Sequence, residues 1–298
     1  MIAELCRTIT ADGLELHGFL ALPEVDTPRY GVIHVHGLAG NFYENRFIES
    51  VTRAVVDSEC AFLTVNTRGR DYLSDFIFEK PDGSKEYRQI GGIHEIFEEC
   101  VEDIEAWIAY LRARGVRDII LQGHSHGALK VAYYLYSKAD PSAAGLILLS
   151  PSDDFGCQRS QLGGRFGEAV EKAQTMIEEG RGGDLIPDGY YHYPVSAATY
   201  IDIFGERSKL KLFNLSGTDT REFPELRSIR VPVLAIVGSV EEFFLETPAK
   251  YLSLIEDELE NAQAFSGVVI EGAPHNYLDF EEEVAASIGK WLGSGVMR

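Results

Sequence analysis

The segment Asp118-Ile119-Ile120-Leu121-Gln122-Gly123-His124-Ser125-His126-Gly127 decides how the rest of this chain is read. Its apolar run, bounded by turn signals, has the pattern of a buried strand. The run stops at Gly123-His124-Ser125-His126-Gly127, and a helical pattern starts at once in Ala128-Leu129-Lys130-Val131-Ala132. A serine between two glycines on a strand-to-helix turn is the nucleophile-elbow signature G-x-S-x-G. The reason is steric: so tight a turn leaves no room for a Cβ at the flanking positions, and Gly123 and Gly127 carry none. The following helix aims its unpaired N–H groups and positive dipole end at any anion that forms beside the serine. A pattern this short arises by chance, and the bland reading is a tight turn with a buried serine. Chemistry requires a base, an acid and an oxyanion site elsewhere in the chain.

Working outward, the chain alternates strand and helix on both sides of this turn. Residues 3–11 and 14–22 read as two strands joined at Asp12-Gly13, a good hairpin turn. Residues 30–37 form a short apolar strand ending in His36-Gly37-Leu38-Ala39-Gly40, and residues 47–56 have helical spacing. A further strand at 61–66 ends at Thr67-Arg68-Gly69-Arg70, which reads as a structural turn. Residues 71–92 show no clear periodicity and contain Pro81-Asp82-Gly83, so an irregular excursion is expected there. An amphipathic helix follows, with Ile96, Cys100, Ile104, Trp107 and Leu111 on one face. After the elbow come a strand at 145–151, another at 231–238, a helix at 248–259, a strand at 267–270 and a last helix at 280–292. Alternation of this kind predicts an α/β fold: a mostly parallel central sheet with helices on both faces.

The alternation lapses between Ser152 and Ser228. That stretch has one helical segment, Phe166 to Glu179, and an aromatic cluster, Tyr190-Tyr191-His192-Tyr193, with Tyr200 and Phe204 beyond. We read an inserted cap at 152–228 in a core domain formed by 1–151 and 229–298. The aromatic residues either make the insertion's own small core or line a pocket for an apolar or aromatic group, Tyr190, Tyr191 and Tyr193 being the candidates.

Composition narrows the function. In 298 residues, 27 Lys and Arg face 47 Asp and Glu, a net charge of −20. Nucleic acid and anionic membrane surfaces are disfavoured as partners, since both are bound by cationic surfaces. The four cysteines, Cys6, Cys60, Cys100 and Cys157, are widely spaced, which suits reduced thiols. The N-terminus lacks a charged-then-apolar leader pattern, and no apolar run reaches membrane-spanning length. A cytoplasmic protein is expected.

A serine hydroxyl needs a base to take its proton and an acid to orient that base. His275, in Glu271-Gly272-Ala273-Pro274-His275-Asn276-Tyr277, is the one histidine on a loop between the last strand and the last helix. The acid should follow a core strand between serine and base. Glu241, three residues past Gly238, meets that requirement, with Asp153 and Asp154 after the preceding strand as alternatives. His34, His36, His124 and His126 gather near strand ends, but no acid accompanies them and the elbow accounts for their placement, so no metal is expected.

The order Ser125, Glu241, His275 is the order of the α/β-hydrolase superfamily. The chain resembles a serine hydrolase of that superfamily over nearly its whole length, the cap excepted. His36-Gly37-Leu38-Ala39-Gly40 matches the family's oxyanion loop and Gly272-Ala273-Pro274-His275 its histidine loop. The look is also similar to siderophore-hydrolase-like and cinnamoyl-esterase-like members. The resemblance implies the α/β-hydrolase fold, a Ser125–Glu241–His275 triad, and oxyanion donors at the Leu38 and His126 amides. Two departures stand out: the acid is Glu where many relatives carry Asp, and His126 fills a slot usually apolar, so its imidazole would line the pocket. The expected activity is cleavage of a carboxylic ester or thioester of a small, apolar or aromatic molecule through an acyl-enzyme, without a cofactor. Acyl transfer or amide cleavage would use the same residues. A small-molecule receptor on the same fold is the alternative from another class. Dehalogenase and epoxide-hydrolase chemistry is disfavoured, because those relatives carry Asp at the elbow.

Overall fold

A computed structural model describes residues 2–216 and 222–295. Met1, residues 217–221 of the expected insertion and residues 296–298 lie outside the described residues. Strand β1 (Ile2–Ile9) pairs antiparallel with β2 (Glu15–Leu22) around the Asp12-Gly13 turn. β3 (Gly31–Val35), α1 (Phe47–Asp57) and β4 (Ala61–Val65) follow, then β5 (Ser74–Glu79), β6 (Lys85–Ile90) and α2 (Cys100–Arg112). The elbow joins β7 (Ile119–His124) to α3 (His126–Lys138), and β8 (Ala143–Leu149) comes next. The chain then runs through α4 (Asp154–Leu162), α5 (Phe166–Glu178), α6 (Ala197–Phe204) and α7 (Pro224–Arg227) before β9 (Val233–Val240), α8 (Pro248–Glu258), β10 (Phe265–Pro274) and α9 (Glu281–Gly293).

Among the described residues, eight strands form one sheet in the order β1-β2-β4-β3-β7-β8-β9-β10. The first two pairings are antiparallel and the rest parallel. β3, β4 and β7 are buried throughout, as strands covered on both faces must be, which is why they read as unbroken apolar runs. Alternate residues of each strand serve different layers. Val32, Phe62, Ile120 and Ile147 pack under α1 and α9, while Ile33, Leu63, Leu121 and Leu146 pack under α2, α3 and α8. The buried residues of the stretch between β8 and β9, Phe155, Ala169, Tyr200 and Phe204 among them, join this second cluster. This is the α/β-hydrolase fold.

Three expectations need correction. Residues 71–92 are not irregular: β5 and β6 form a hairpin across Pro81-Asp82-Gly83. Phe76 and Phe78 alternate inward there, with Arg70 and Arg88 stacked on their rings; the charged residues of the turn hid that period-two signal. Second, the described residues between β8 and β9 hold more helix than the one segment anticipated. α4 starts from an Asp153 cap and α6 from a Ser196 cap. α4 carries Gly156 and almost no apolar face, which left it invisible to periodicity. Third, β10 runs several residues past the 267–270 expected, up to the turn before His275. The cysteines are free thiols, Cys6, Cys60 and Cys100 buried and Cys157 half-buried. Among the described residues no helix is long and apolar enough to cross a membrane.

Candidate active site

Ser125 sits at the junction of β7 and α3 with φ 55 and ψ −127, a conformation side-chain-bearing residues rarely adopt. It is held there by its neighbours. A Cβ on Gly123 would stand 2.2 Å from the Gly127 carbonyl oxygen, and one on Gly127 would stand 2.3 Å from the Val35 oxygen. Both contacts are with backbone, so the two glycines are what allows the turn. The Ser125 N–H donates to the Leu149 carbonyl (2.8 Å), which anchors the strained residue to the next strand.

His275 lies in the loop between β10 and α9, and Glu241 follows β9. Their side chains meet: His275 Nδ1 donates to Glu241 Oε1 at 2.7 Å. The same oxygen accepts from the Glu242 and Phe243 amides. Burial pushes the Glu241 carboxyl up, but the His275 contact and the nearby Ser150 hydroxyl outweigh it, and its pKa lies below the usual value. A carboxylate so held fixes the imidazole as the Nδ1–H tautomer and leaves Nε2 free to accept a proton. Ser125 and His275 line one cleft of about 100 Å³, together with Leu38, His126, Asp154 and Tyr193.

The alternative acids go elsewhere. Asp153 accepts from the Gly156 and Ser216 amides and caps α4, and burial raises its pKa to about 6. Asp154 accepts from His126 Nδ1 at 3.2 Å, on the cleft wall. Of the three tyrosines singled out between β8 and β9, the structure brings Tyr193 to the cleft. Tyr191 packs instead on Tyr200 and Phe204, and Tyr190 turns its hydroxyl to Glu168 under the Arg165 guanidinium. The aromatic cluster thus mainly packs against the buried cluster under α2, α3 and α8, with one member at the site.

The four histidines near the strand ends each have a structural partner. His34 Nδ1 accepts from the Gln122 amide (2.8 Å). His36 donates from Nδ1 to the Gly37 carbonyl (2.7 Å) and accepts at Nε2 from the Thr67 amide (3.1 Å), so it clamps the loop carrying Leu38 to the turn after β4. Burial, with the Lys130 ammonium close by, lowers its pKa to about 4. His124 donates from Nε2 to the His275 carbonyl (2.9 Å), and burial with the nearby His275 lowers its pKa to about 3. Among the described residues no group of three or more His, Cys, Asp and Glu is arranged to hold a metal ion. Arg68, as its turn suggested, is structural: its buried guanidinium bonds Asp103, Asp12 and Glu99.

Sequence reasoning missed Phe243, whose ring lies 4.3 Å from that of His275, and Glu44 and Asn45 at the cleft's edge. It placed His36 in the loop matched to the family's oxyanion loop and weighed His36 and His124 as metal ligands, but foresaw the hydrogen bonds of neither. The adjacency of His124 to Ser125 and of His36 to the Gly37-Leu38 loop was the available signal for both.

Comparison with known proteins adds the following. A family model described as "Protein of unknown function (DUF1749)" matches residues 92–296. A search of curated proteins finds no match. Among solved structures, Est1E from Butyrivibrio proteoclasticus with ferulic acid bound is similar at 18% identity and a TM-score of 0.65, covering 98% of this chain and 100% of that one. The Pyrococcus furiosus esterase Pf2001 is similar at 15% identity and a TM-score of 0.63, over 98% and 91% of the two chains. The α/β hydrolase GrgF from Penicillium sp. sh18 is similar at 12% identity and 0.63, over 100% and 99%. These likenesses are likenesses of fold.

Proposed function

We propose that this chain, which belongs to the DUF1749 family, is a serine hydrolase that cleaves a carboxylic ester or thioester of a small molecule. The observation that carries this reading is the 2.7 Å hydrogen bond from His275 Nδ1 to Glu241, with that imidazole sharing one cleft with the elbow serine. The likeness in fold to the Pyrococcus furiosus esterase Pf2001, and to Est1E with ferulic acid bound, agrees with it.

The chemistry follows from the groups present. Ser125 Oγ attacks the substrate carbonyl as His275 Nε2 takes its proton. The negative charge moves to the carbonyl oxygen, which the Leu38 and His126 amides are positioned in sequence to receive; such a donor is typically worth about 3 to 4 kcal/mol. The tetrahedral adduct collapses, the C–O or C–S bond breaks, and the leaving group departs with the proton from His275. Water, deprotonated by the same imidazole, then attacks the acyl-enzyme and returns the serine. Glu241 keeps the tautomer throughout and stabilises the imidazolium. Residues 152–228 serve as the cap over the core domain of 1–151 and 229–298, with Tyr193 facing the substrate. The free thiols suit a cytoplasmic setting.

Ser125→Ala should abolish covalent labelling by a fluorophosphonate probe and leave the melting temperature close to that of the native chain. Labelling that persists in the variant would show that another residue is the nucleophile.

A further inference from the structure

We propose that a second pocket, beside the catalytic cleft and over β2 and β4, receives a neutral, apolar acyl chain of the ester; this deepens the hydrolase reading above and rests on it. The pocket measures about 600 Å³ and is lined mainly by apolar atoms. The cleft at Ser125 measures about 100 Å³. Sites that enclose a small molecule usually run to roughly 300–1,000 Å³. The cleft alone therefore holds little more than the reacting carbonyl and its nearest atoms, and the remainder of a substrate must lie elsewhere.

The pocket exists because the helical layer stops short of the sheet. The cluster buried under α1 and α9 draws on β3, β4, β7, β8, β9 and β10, but among the described residues it includes none from β2. Phe19 of β2 and its cross-strand neighbour Thr64 of β4 form the floor that this leaves open. Ile48 and Thr52, in the first turns of α1, make one wall, and Phe42 and Tyr43 make the side toward the β3–α1 loop. Both threonine hydroxyls are already hydrogen-bonded to carbonyls, Thr52 to Ile48 and Thr64 to Phe42, so neither seeks a polar ligand group.

Two observations decide what enters and from which side. Glu44 and Asn45 line the pocket and the cleft alike, so the two spaces adjoin at these residues. Ser125 follows β7, while His275 follows β10, three strands along in one direction, and the pocket lies over β4 and β2 in the other. The leaving group takes its proton from His275 and must lie on that side. The acyl group extends from the opposite side of the carbonyl carbon, toward the pocket. Charge settles the acyl group's character. The guanidinium groups at the pocket's mouth are engaged, Arg46 with Asp279 and Glu281 and Arg53 with Glu49 and Glu282. With Glu44 and Glu49 also at the mouth, a second carboxylate on the acyl chain would meet repulsion rather than a partner.

The test uses nitrophenyl esters with one leaving group and acyl chains from acetyl to decanoyl, plus a chain ending in a carboxylate. Wild-type kcat/KM should rise with apolar chain length, by about tenfold for each of the first methylenes the pocket encloses, and the carboxylate-ended chain should be a poor substrate. Thr52→Trp, which fills the pocket, should lower the decanoyl-to-acetyl ratio by about tenfold or more. Ile48→Ala, which enlarges it, should move the optimum to longer chains. A ratio unchanged in Thr52→Trp together with an unmoved optimum in Ile48→Ala overturns the pocket assignment. Absence of both acetyl-ester turnover and fluorophosphonate labelling in the wild type overturns the hydrolase reading instead.

Discussion

Two loops leave the carboxyl edge of the sheet from neighbouring strands, and each carries a pair of acids. The loop after β8 presents Asp153 and Asp154; the loop after β9 presents Glu241 and Glu242. They touch, since the Asp153 amide donates to the Phe243 carbonyl (2.7 Å). Yet the first acid of each pair meets different partners. Asp153 meets the Gly156 amide at the start of α4 and the Ser216 amide and hydroxyl, all neutral groups, and burial lifts its pKa to about 6. Glu241 is as deeply buried, but its partners include an imidazole and its pKa falls. Position at a strand end is therefore not enough to bring a carboxylate to His275. The extra methylene of Glu and the turn of the β9 loop bring its carboxylate to His275, while the shorter Asp153 side chain is held by the helix it begins.

The largest effect should come from exchanging these roles chemically. Glu241→Gln keeps the shape but offers His275 an amide that favours the wrong tautomer, and the equivalent change in a chymotrypsin-type triad costs about 10⁴ in turnover. Asp153→Asn and Glu242→Gln should change turnover of the same ester little. If Asp153→Asn is the crippled enzyme, the comparison is inverted and the acid sits after β8.

A smaller effect should separate the two in stability. Asp153→Ala removes the α4 cap and should cost about 1 kcal/mol in chemical denaturation, whereas Asp153→Asn, a good cap in its own right, should cost much less. Equal losses in the two would mean that the charge, and not the cap, is what Asp153 supplies.

The finest distinction lies in pH. Asp153 has a raised pKa when folded, so its stabilising contribution is complete below the usual carboxylate value and is lost as pH rises through about 6. The melting-temperature advantage of the wild type over Asp153→Asn should shrink between pH 4 and pH 7. Glu241 has a lowered pKa, so its contribution is complete above the usual value and is lost as pH falls through the folded one. The advantage over Glu241→Gln should shrink toward acid. Parallel slopes for the two variants would contradict the difference in surroundings described above.

Much of this was legible in the chain before any coordinates. Uninterrupted apolar runs marked β3, β7, β8 and β9 because parallel strands are buried on both faces, and Gly123, Gly127 and His275 are placed by local turn chemistry. The β5–β6 hairpin escaped because its two inward phenylalanines are spaced among charged residues that look like loop. α4 escaped because a short helix carrying Gly156 and almost no apolar face leaves no clean stripe. Tyr190, Tyr191 and Tyr193 are adjacent in sequence but point to an outer surface, an aromatic cluster and the cleft respectively, a divergence that depends on the local backbone path. Phe243 beside His275, and Glu44 and Asn45 between the cleft and its neighbour, come from loops whose course no periodicity encodes. The bonds of His36 and His124 likewise link segments far apart in sequence.

The backbone at Ser125 also separates two ways of losing its hydroxyl. A side-chain-bearing residue at φ 55 and ψ −127 costs on the order of 1–3 kcal/mol that glycine would largely avoid. Ser125→Ala keeps that cost and Ser125→Gly sheds most of it, so the glycine variant should melt above the alanine variant although both lack the oxygen. Equal melting temperatures would mean that the turn stores no strain.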